Sequence, residues 1–294
     1  MATGSSDHRG HQARTGEAPP DSEEGATHLS HDEEIDVEER RAPPAKIVHE
    51  AIRRQGLEEL KRPALSLLWS GLAAGVAMGM SILAEAILTL NLPEGPARPI
   101  IASFGYAFGF LIVIMGRLQL FTESTVTAVL PLATQPSWPS FGRTARLWAL
   151  VLVANLAGTF AFALFTLAGG FGSPEIGGAI SAVSRGILGH GFGHVLLSGI
   201  PSGFLIAALV WILPSASGER VLIIALLTWL IALGDFAHVV VGSAEAWLLM
   251  LEGTMSPLDA VGGYILPAFI GNVIGGTALF ALLAHAQVVR EIHH

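Results

Sequence analysis

Apolar residues dominate the chain from residue 65 onward, in runs too long for strands and too uniform for the amphipathic helices of a soluble domain. Six runs stand out, near 65–90, 99–133, 144–168, 190–213, 221–251 and 260–285. The hydrocarbon core of a bilayer is about 30 Å thick and takes about 20 residues of apolar helix to cross. The pattern therefore predicts an all-α membrane protein with six transmembrane helices. Turn-forming residues separate the runs: Pro93, Gly95 and Pro96; Pro136 and Pro139; Gly172 and Pro174; Pro214 and Gly218; Pro257. Ahead of the first run, Ile47 to Lys61 mixes apolar and charged positions at helical spacing, which predicts an amphipathic helix lying on the membrane surface. The expected division is a tail over 1–46, the amphipathic helix over 47–62, a membrane domain over 63–286 and a short end over 287–294.

Two of the runs are wrong for simple helices. The second holds Arg117, Gln119, Thr122, Glu123, Ser124 and Thr125 within its apolar stretch. The fifth holds Gly234, Asp235, His238, Gly242, Ser243 and Glu245. An ionisable group at the bilayer centre costs about 2.5–3.5 kcal/mol on insertion scales, so it faces a cavity or a partner. Irregular backbone at that depth survives only where protein or water covers it. Helices two and five are therefore expected to be broken. The breaks also correspond. Asn155 in NLAG and Asn272 in NVIG lie 117 residues apart, and the same offset carries Phe121 onto His238. LFTEST and HVVVGS then occupy matching places in two halves of three helices each. An odd number of spans per half forces opposite orientations, an inverted 3+3 repeat, and paired broken helices in such repeats point to a transport path.

Composition and charge sharpen this picture. Only 14% of residues are charged, against about 25% in soluble domains, and mean hydropathy is +0.57. Residues 1–49 carry 11 acidic and 5 basic side chains, so most of the net charge of −8 belongs to the tail. That tail is too polar to bury a core and is expected to be disordered, either as a solvated arm or as a partner-binding one. It lacks the basic start and apolar run of a signal peptide. Arg53, Arg54, Lys61, Arg62, Arg143, Arg146, Arg220 and Arg290 fall on one side of the spans, with Arg98 and Arg185 on the other. The excess marks the cytoplasmic side and puts both termini there. Glycines at four-residue spacing (Gly71, Gly75, Gly79; Gly105, Gly109) suit close helix packing, within one chain or between copies.

Leu120-Phe121-Thr122 with its polar turn, Phe236-x-His238, NLAG and GNVIGG together resemble the formate/nitrite transporter family over about residues 50–290. The resemblance implies an aquaporin-like protomer and a homopentamer with one pore per chain in a bacterial inner membrane. It implies passage of small monovalent anions such as formate, nitrite or hydrosulfide, often with a proton. It makes His238 the pore histidine that attracts the anion or exchanges a proton with it; the alternative is a core histidine hydrogen-bonded between helices. Thr122 would offer its hydroxyl to His238 or to substrate, or else serve as an interhelical bond. Leu120 and Phe121 would form an apolar constriction, or ordinary packing. Asn155 and Asn272 are expected to hold the broken backbones, since a buried amide can satisfy both freed carbonyls and N–H groups. Arg117, Glu123 and Asp235 would pair with one another or set the field at the pore mouths, and Glu85 and Glu245 are expected to pair between helices or subunits. Where relatives carry Glu, Ser and Asn around the histidine, this chain has Ala237, Val239 and Gly242.

Other functions find less support. A pore for a small neutral solute would share the repeat, but paired Asn-Pro-Ala motifs are missing; a membrane scaffold gives no reason for two matched polar breaks. No nucleophile–base set or cofactor loop appears, so neither an enzyme nor a cofactor is expected. No basic stripe suggests nucleic acid. His190 and His194 have metal-binding spacing without an evident third ligand, so no metal is expected. The terminal His293 and His294 read as frayed tail.

Overall fold

The computed structural model describes residues 30–33, 37 and 42–292. Most of the tail, and with it the expectation of disorder there, lies outside the described residues, as do His293 and His294. The chain divides into two units between Ala42 and Pro43. In the first, Ser30 caps a helical turn over residues 31–33: its backbone N–H and hydroxyl both donate to the Glu33 carboxylate at 2.8 Å.

The second unit is built of helices, with no strand among the described residues. In chain order they are α1 (Ala45–Lys61), α2 (Ala64–Asn91), α3 (Ala97–Met115), α4 (Phe121–Thr127), α5 (Val129–Thr134), α6 (Trp138–Leu167), α7 (Pro174–Ser184), α8 (Phe192–Ile212), α9 (Arg220–Leu233), α10 (Val239–Leu251) and α11 (Asp259–Glu291). Five helical segments (α2, α3, α6, α11, and α8 with its 3₁₀ extension to Ser215) are long and apolar enough to cross a bilayer, which makes this a multi-pass membrane fold. The second run divides into α3, α4 and α5, and the fifth into α9 and α10. One element was not foreseen. α7 occupies a stretch that reads as loop because it is short and rich in small residues. Its start is nonetheless written in the sequence: Ser173 accepts from the Ile176 N–H at 3.3 Å, and Pro174 opens the first turn.

Two seams of small residues set how closely the helices approach. A Cβ on Gly75 of α2 would lie 2.2 Å from the Asn155 carbonyl oxygen of α6. A Cβ on Gly203 of α8 would lie 2.2 Å from that of Asn272 in α11. Gly71, Gly79, Gly105 and Gly109 likewise face backbone or side chains of this same chain, which decides between the two readings of the glycine spacing. Outward-facing Leu, Ile, Phe and Trp side chains cover the spans, as lipid requires.

The apolar face of α1 does not simply rest on lipid. Val48 and Ile52 join Val126, Val129, Leu130 and Val210 in a core cluster of their own. Gly56 is needed there, because any Cβ would run into the Thr127 carbonyl. Glu59 accepts a 2.6 Å hydrogen bond from the Thr127 hydroxyl and a 3.0 Å bond from Gln55. On the outer face, Arg53 and Arg54 each reach Glu50 at 2.7 Å and hold its carboxyl down to about 2. At the other end, His49 Nε2 lies 3.0 Å from His285 Nδ1 of α11. Burial pushes the His49 imidazole down to about 4, helped by His285 and Arg53 and opposed by Glu50. Its unfolded value is about 6.5. The stability that neutral His49 brings is therefore fully present above pH 6.5 and is lost as pH falls towards 4. Hydrogen exchange of the α1 amides is expected to accelerate, relative to the intrinsic rate, between pH 7.5 and pH 5, and His49→Phe is expected to flatten that dependence.

Candidate functional site

The two breaks are built alike. α3 ends at Gly116 and α9 at Gly234, and the next residue in each case, Arg117 at φ 53° and Asp235 at φ 51°, takes the left-handed conformation. Each chain then runs extended for a few residues before a new helix starts. Gln119 and Ala237 expose carbonyls there, and Phe121 and Val239 expose amides. One asparagine answers each set. Asn155 accepts from the Phe121 N–H at 2.9 Å and donates to the carbonyls of Gln119 (2.9 Å) and Gly71 (2.8 Å). Asn272 accepts from the Val239 N–H at 2.9 Å and donates to the carbonyls of Ala237 (2.8 Å) and Gly199 (2.9 Å). Both asparagines are fully buried.

These bonds correct the register read from the sequence. Through the breaks the offset is 118, not 117: Gln119 answers to Ala237, and Phe121 to Val239. His238 therefore corresponds to Leu120 rather than Phe121. Each stands just before its half-helix, Leu120 as N-cap of α4 and His238 as N-cap of α10.

His238 caps α10 with its own side chain. The Val241 N–H donates to Nδ1 at 3.3 Å, so the ring proton of the neutral imidazole belongs on Nε2. Nε2 lies 2.9 Å from Thr122 Oγ1, across from α4. The Phe110 ring meets the imidazole edge-on, with centroids 5.0 Å apart. Leu120 and Phe121 are buried beside it, with Phe121 between Trp148 and Phe269. The structure thus brings His238, Thr122, Leu120, Phe121, Asn155 and Asn272 into one region.

Among the described residues the remaining candidates form no ion pair with one another. Arg117 is exposed, and among the described residues it forms no ion pair with Glu123 or Asp235. Glu123 has a buried Oε1 without a hydrogen-bond partner. Asp235 faces His190, at 3.7 Å, instead of Arg117 or Glu123. His194 lies close to both, so the two histidines have an acidic neighbour, Asp235, that their sequence spacing did not reveal. Glu85 and Glu245 form no ion pair among the described residues; both line a cavity.

That cavity, about 180 Å³, reaches His238 from the side of the α7–α8 connection. Although His238 is only 1% exposed, it lines the inner end, with Ala237 and Gly242. Tyr106, Tyr264, Glu85 and Glu245 form the walls. Tyr264 takes the space that a side chain at 242 would need, its ring 2.3 Å from where a Cβ would be. Tyr106, Tyr264 and Phe110 were missed in the sequence because aromatic residues in an apolar run carry no mark of the face they present.

An all-α body that crosses a bilayer, with two half-helices starting near a buried histidine and a cavity leading to it, defines a membrane transport protein. The family described as formate/nitrite transporter matches residues 46–286, and the chain belongs to that family. It is similar to the inner membrane protein YfdC of Escherichia coli (strain K12), 42% identical over 263 residues covering 88% of this chain and 84% of that one. Among solved structures it resembles an FNT family ion channel (TM-score 0.72, 19% identity, 82% of this chain and 98% of the other). It also resembles a pentameric formate channel with formate bound (TM-score 0.64, 17% identity, 77% and 98%). The protein is a channel or transporter of this family and not an enzyme.

Replacing Asn272 with Ala would leave the buried Val239 N–H and Ala237 carbonyl unpaired, each worth about 1–3 kcal/mol, and would take a second bond from the Gly199 carbonyl of α8. Asn272→Ala is expected to lower the thermal unfolding midpoint in detergent sharply and to speed exchange of the Val239 amide. Asn155→Ala should do the same at Phe121.

Proposed function

We propose that each chain forms a pore for a small monovalent weak acid of the formate, nitrite or hydrosulfide class, crossing with a proton near His238. The carrying observation is the 2.9 Å pairing of His238 with Thr122 at the inner end of the cavity. Leu120 and Phe121 make the apolar constriction beside it. An anion pays a large desolvation cost at such a constriction, whereas its conjugate acid pays little. His238 holds its ring proton on the nitrogen that faces Thr122; when Nδ1 takes a second proton in place of the Val241 N–H bond, the ring can give the Nε2 proton to a solute anion there and end neutral.

The cavity walls favour the same form. Glu85, Asp235 and Glu245 line it, with no Lys or Arg among its lining residues. A lining of carboxyl groups with no cation beside them suits a neutral acid better than a bare anion. In this reading Arg117, Glu123 and Asp235 set the field at the two mouths, and Asn155 and Asn272 hold the backbone.

The wider architecture is proposed on the same basis. α3 with α4 and α5, and α9 with α10, count as single broken spans, giving six in an inverted, aquaporin-like 3+3 arrangement with cytoplasmic termini. The arginine distribution and the paired hydrogen bonds of the two breaks support it. An apolar groove between α2 and α3, lined by Leu83, Ile87, Phe108 and Ile112, suits packing between copies in a homopentamer of a bacterial inner membrane. The tail over 1–46, the surface helix and the short C-terminal end would then face the cytoplasm.

Proteoliposomes loaded with a pH-sensitive dye test this. Uptake of formate or nitrite is expected to rise as external pH falls, with internal acidification. His238→Ala should slow uptake and weaken that pH dependence. Thr122→Val should slow uptake about tenfold, the equivalent of one hydrogen bond of about 1.4 kcal/mol. Unchanged uptake and pH response in His238→Ala would overturn the reading, and passage of glycerol or water without weak acids would favour a neutral-solute pore.

A further inference from the structure

Three side chains from two separate segments converge at the outer end of the cavity. His190 stands between Gly189, at φ 81°, and Gly191, in the turn that leads into α8. His194 follows in the first turn of α8, its ring centroid 4.4 Å from that of His190. Asp235 comes from the α9–α10 break, more than forty residues away in sequence. Its left-handed backbone, which aspartate tolerates better than most residues, brings Oδ2 to 3.7 Å from His190 Nε2. One ligand atom from each of the three lies within 4.8 Å of the others.

We propose that His190, His194 and Asp235 form a binding site for a divalent transition cation of the zinc class at the mouth of the cavity. Ligands at about 2.0–2.1 Å from a tetrahedral ion stand about 3.4 Å apart, so small side-chain rotations close the set. Two imidazoles and one carboxylate suit zinc, copper or nickel; calcium and magnesium need more oxygens than are present. His194 and Asp235 are exposed and His190 is partly so, so packing does not require their convergence. The His190–Asp235 contact alone would not bring His194 beside them.

Three protein ligands leave a fourth position for water or a small anion. Both His190 and Asp235 line the cavity, so the bound ion stands on the route to His238. There its positive charge stands beside the Asp235 carboxylate and makes the mouth more receptive to anions. Cation binding itself does not rest on the transport reading and is measured without it.

Calorimetric titration of the full-length, metal-stripped protein in detergent with Zn²⁺ tests the site. The chain has histidines elsewhere, such as His31, so the assignment rests on differences between wild type and variants. His190→Ala, His194→Ala and Asp235→Asn are each expected to weaken one site per chain about tenfold or more. Their elution profiles should be unchanged, because the three side chains do not lie in the core. Paramagnetic resonance of the Cu²⁺ form should show two imidazole nitrogens in the wild type and one in each histidine variant. No zinc uptake by the wild type, or affinity and spectra unchanged in all three variants, overturns the site, whatever the transport assays give.

Discussion

A helix that stops and restarts inside a bilayer leaves carbonyls and amides that water cannot reach, and everything specific to this protein depends on how that debt is met. Asn155 and Asn272 meet it with the same three bonds each, one accepted and two donated. A primary amide is the neutral side chain that accepts through its oxygen while donating two hydrogens from its nitrogen. Because the second break is stable, α10 can begin at membrane depth, and its first residue can be a histidine that caps its own helix through Nδ1. The same cap leaves Nε2 pointing to Thr122 on the other half-helix. Backbone satisfaction and site geometry are thus one arrangement.

The close approach that lets each asparagine reach its targets is set by glycine. Gly71 and Gly199 supply the distant carbonyls, while Gly75 and Gly203 let the helix pairs come close enough for those bonds to form. π-helical turns over Asp259–Ile265 and Ile274–Ala281 flank the asparagine-bearing part of α11, where backbone geometry adjusts most. Trp148 adds a tie of its own, donating to the Ser124 carbonyl at 3.0 Å and fixing α4 against α6.

Much of this was legible in the sequence, and the gaps have physical causes. The long spans are readable because bilayer thickness fixes their length. The breaks are readable because polar residues at that depth are costly, and the asparagines because two similar motifs recur. The register through the breaks was one residue off because Asn155 and Asn272 lie 117 apart while the segments they hold lie 118 apart; only the hydrogen bonds show which spacing governs. α7 escaped because a short helix of small residues has no periodic signal, although Ser173-Pro174 announces its start. Asp235 beside His190 escaped because the contact depends on how two loops fold over the same opening. Tyr264 escaped because the loss of a side chain at Gly242 and the ring that fills the gap are 22 residues apart.

α1 grips Thr127 through Glu59, with Gly56 pressed against the same residue's carbonyl. Thr127 is the last residue of the seven-residue helix that also carries Thr122. So short a rod has little room to bend between its ends, and a lever fastened at one end turns the other. Any force on the segment ahead of the membrane domain that shifts α1 is therefore delivered, a turn and a half of helix later, to the hydroxyl that touches the buried imidazole.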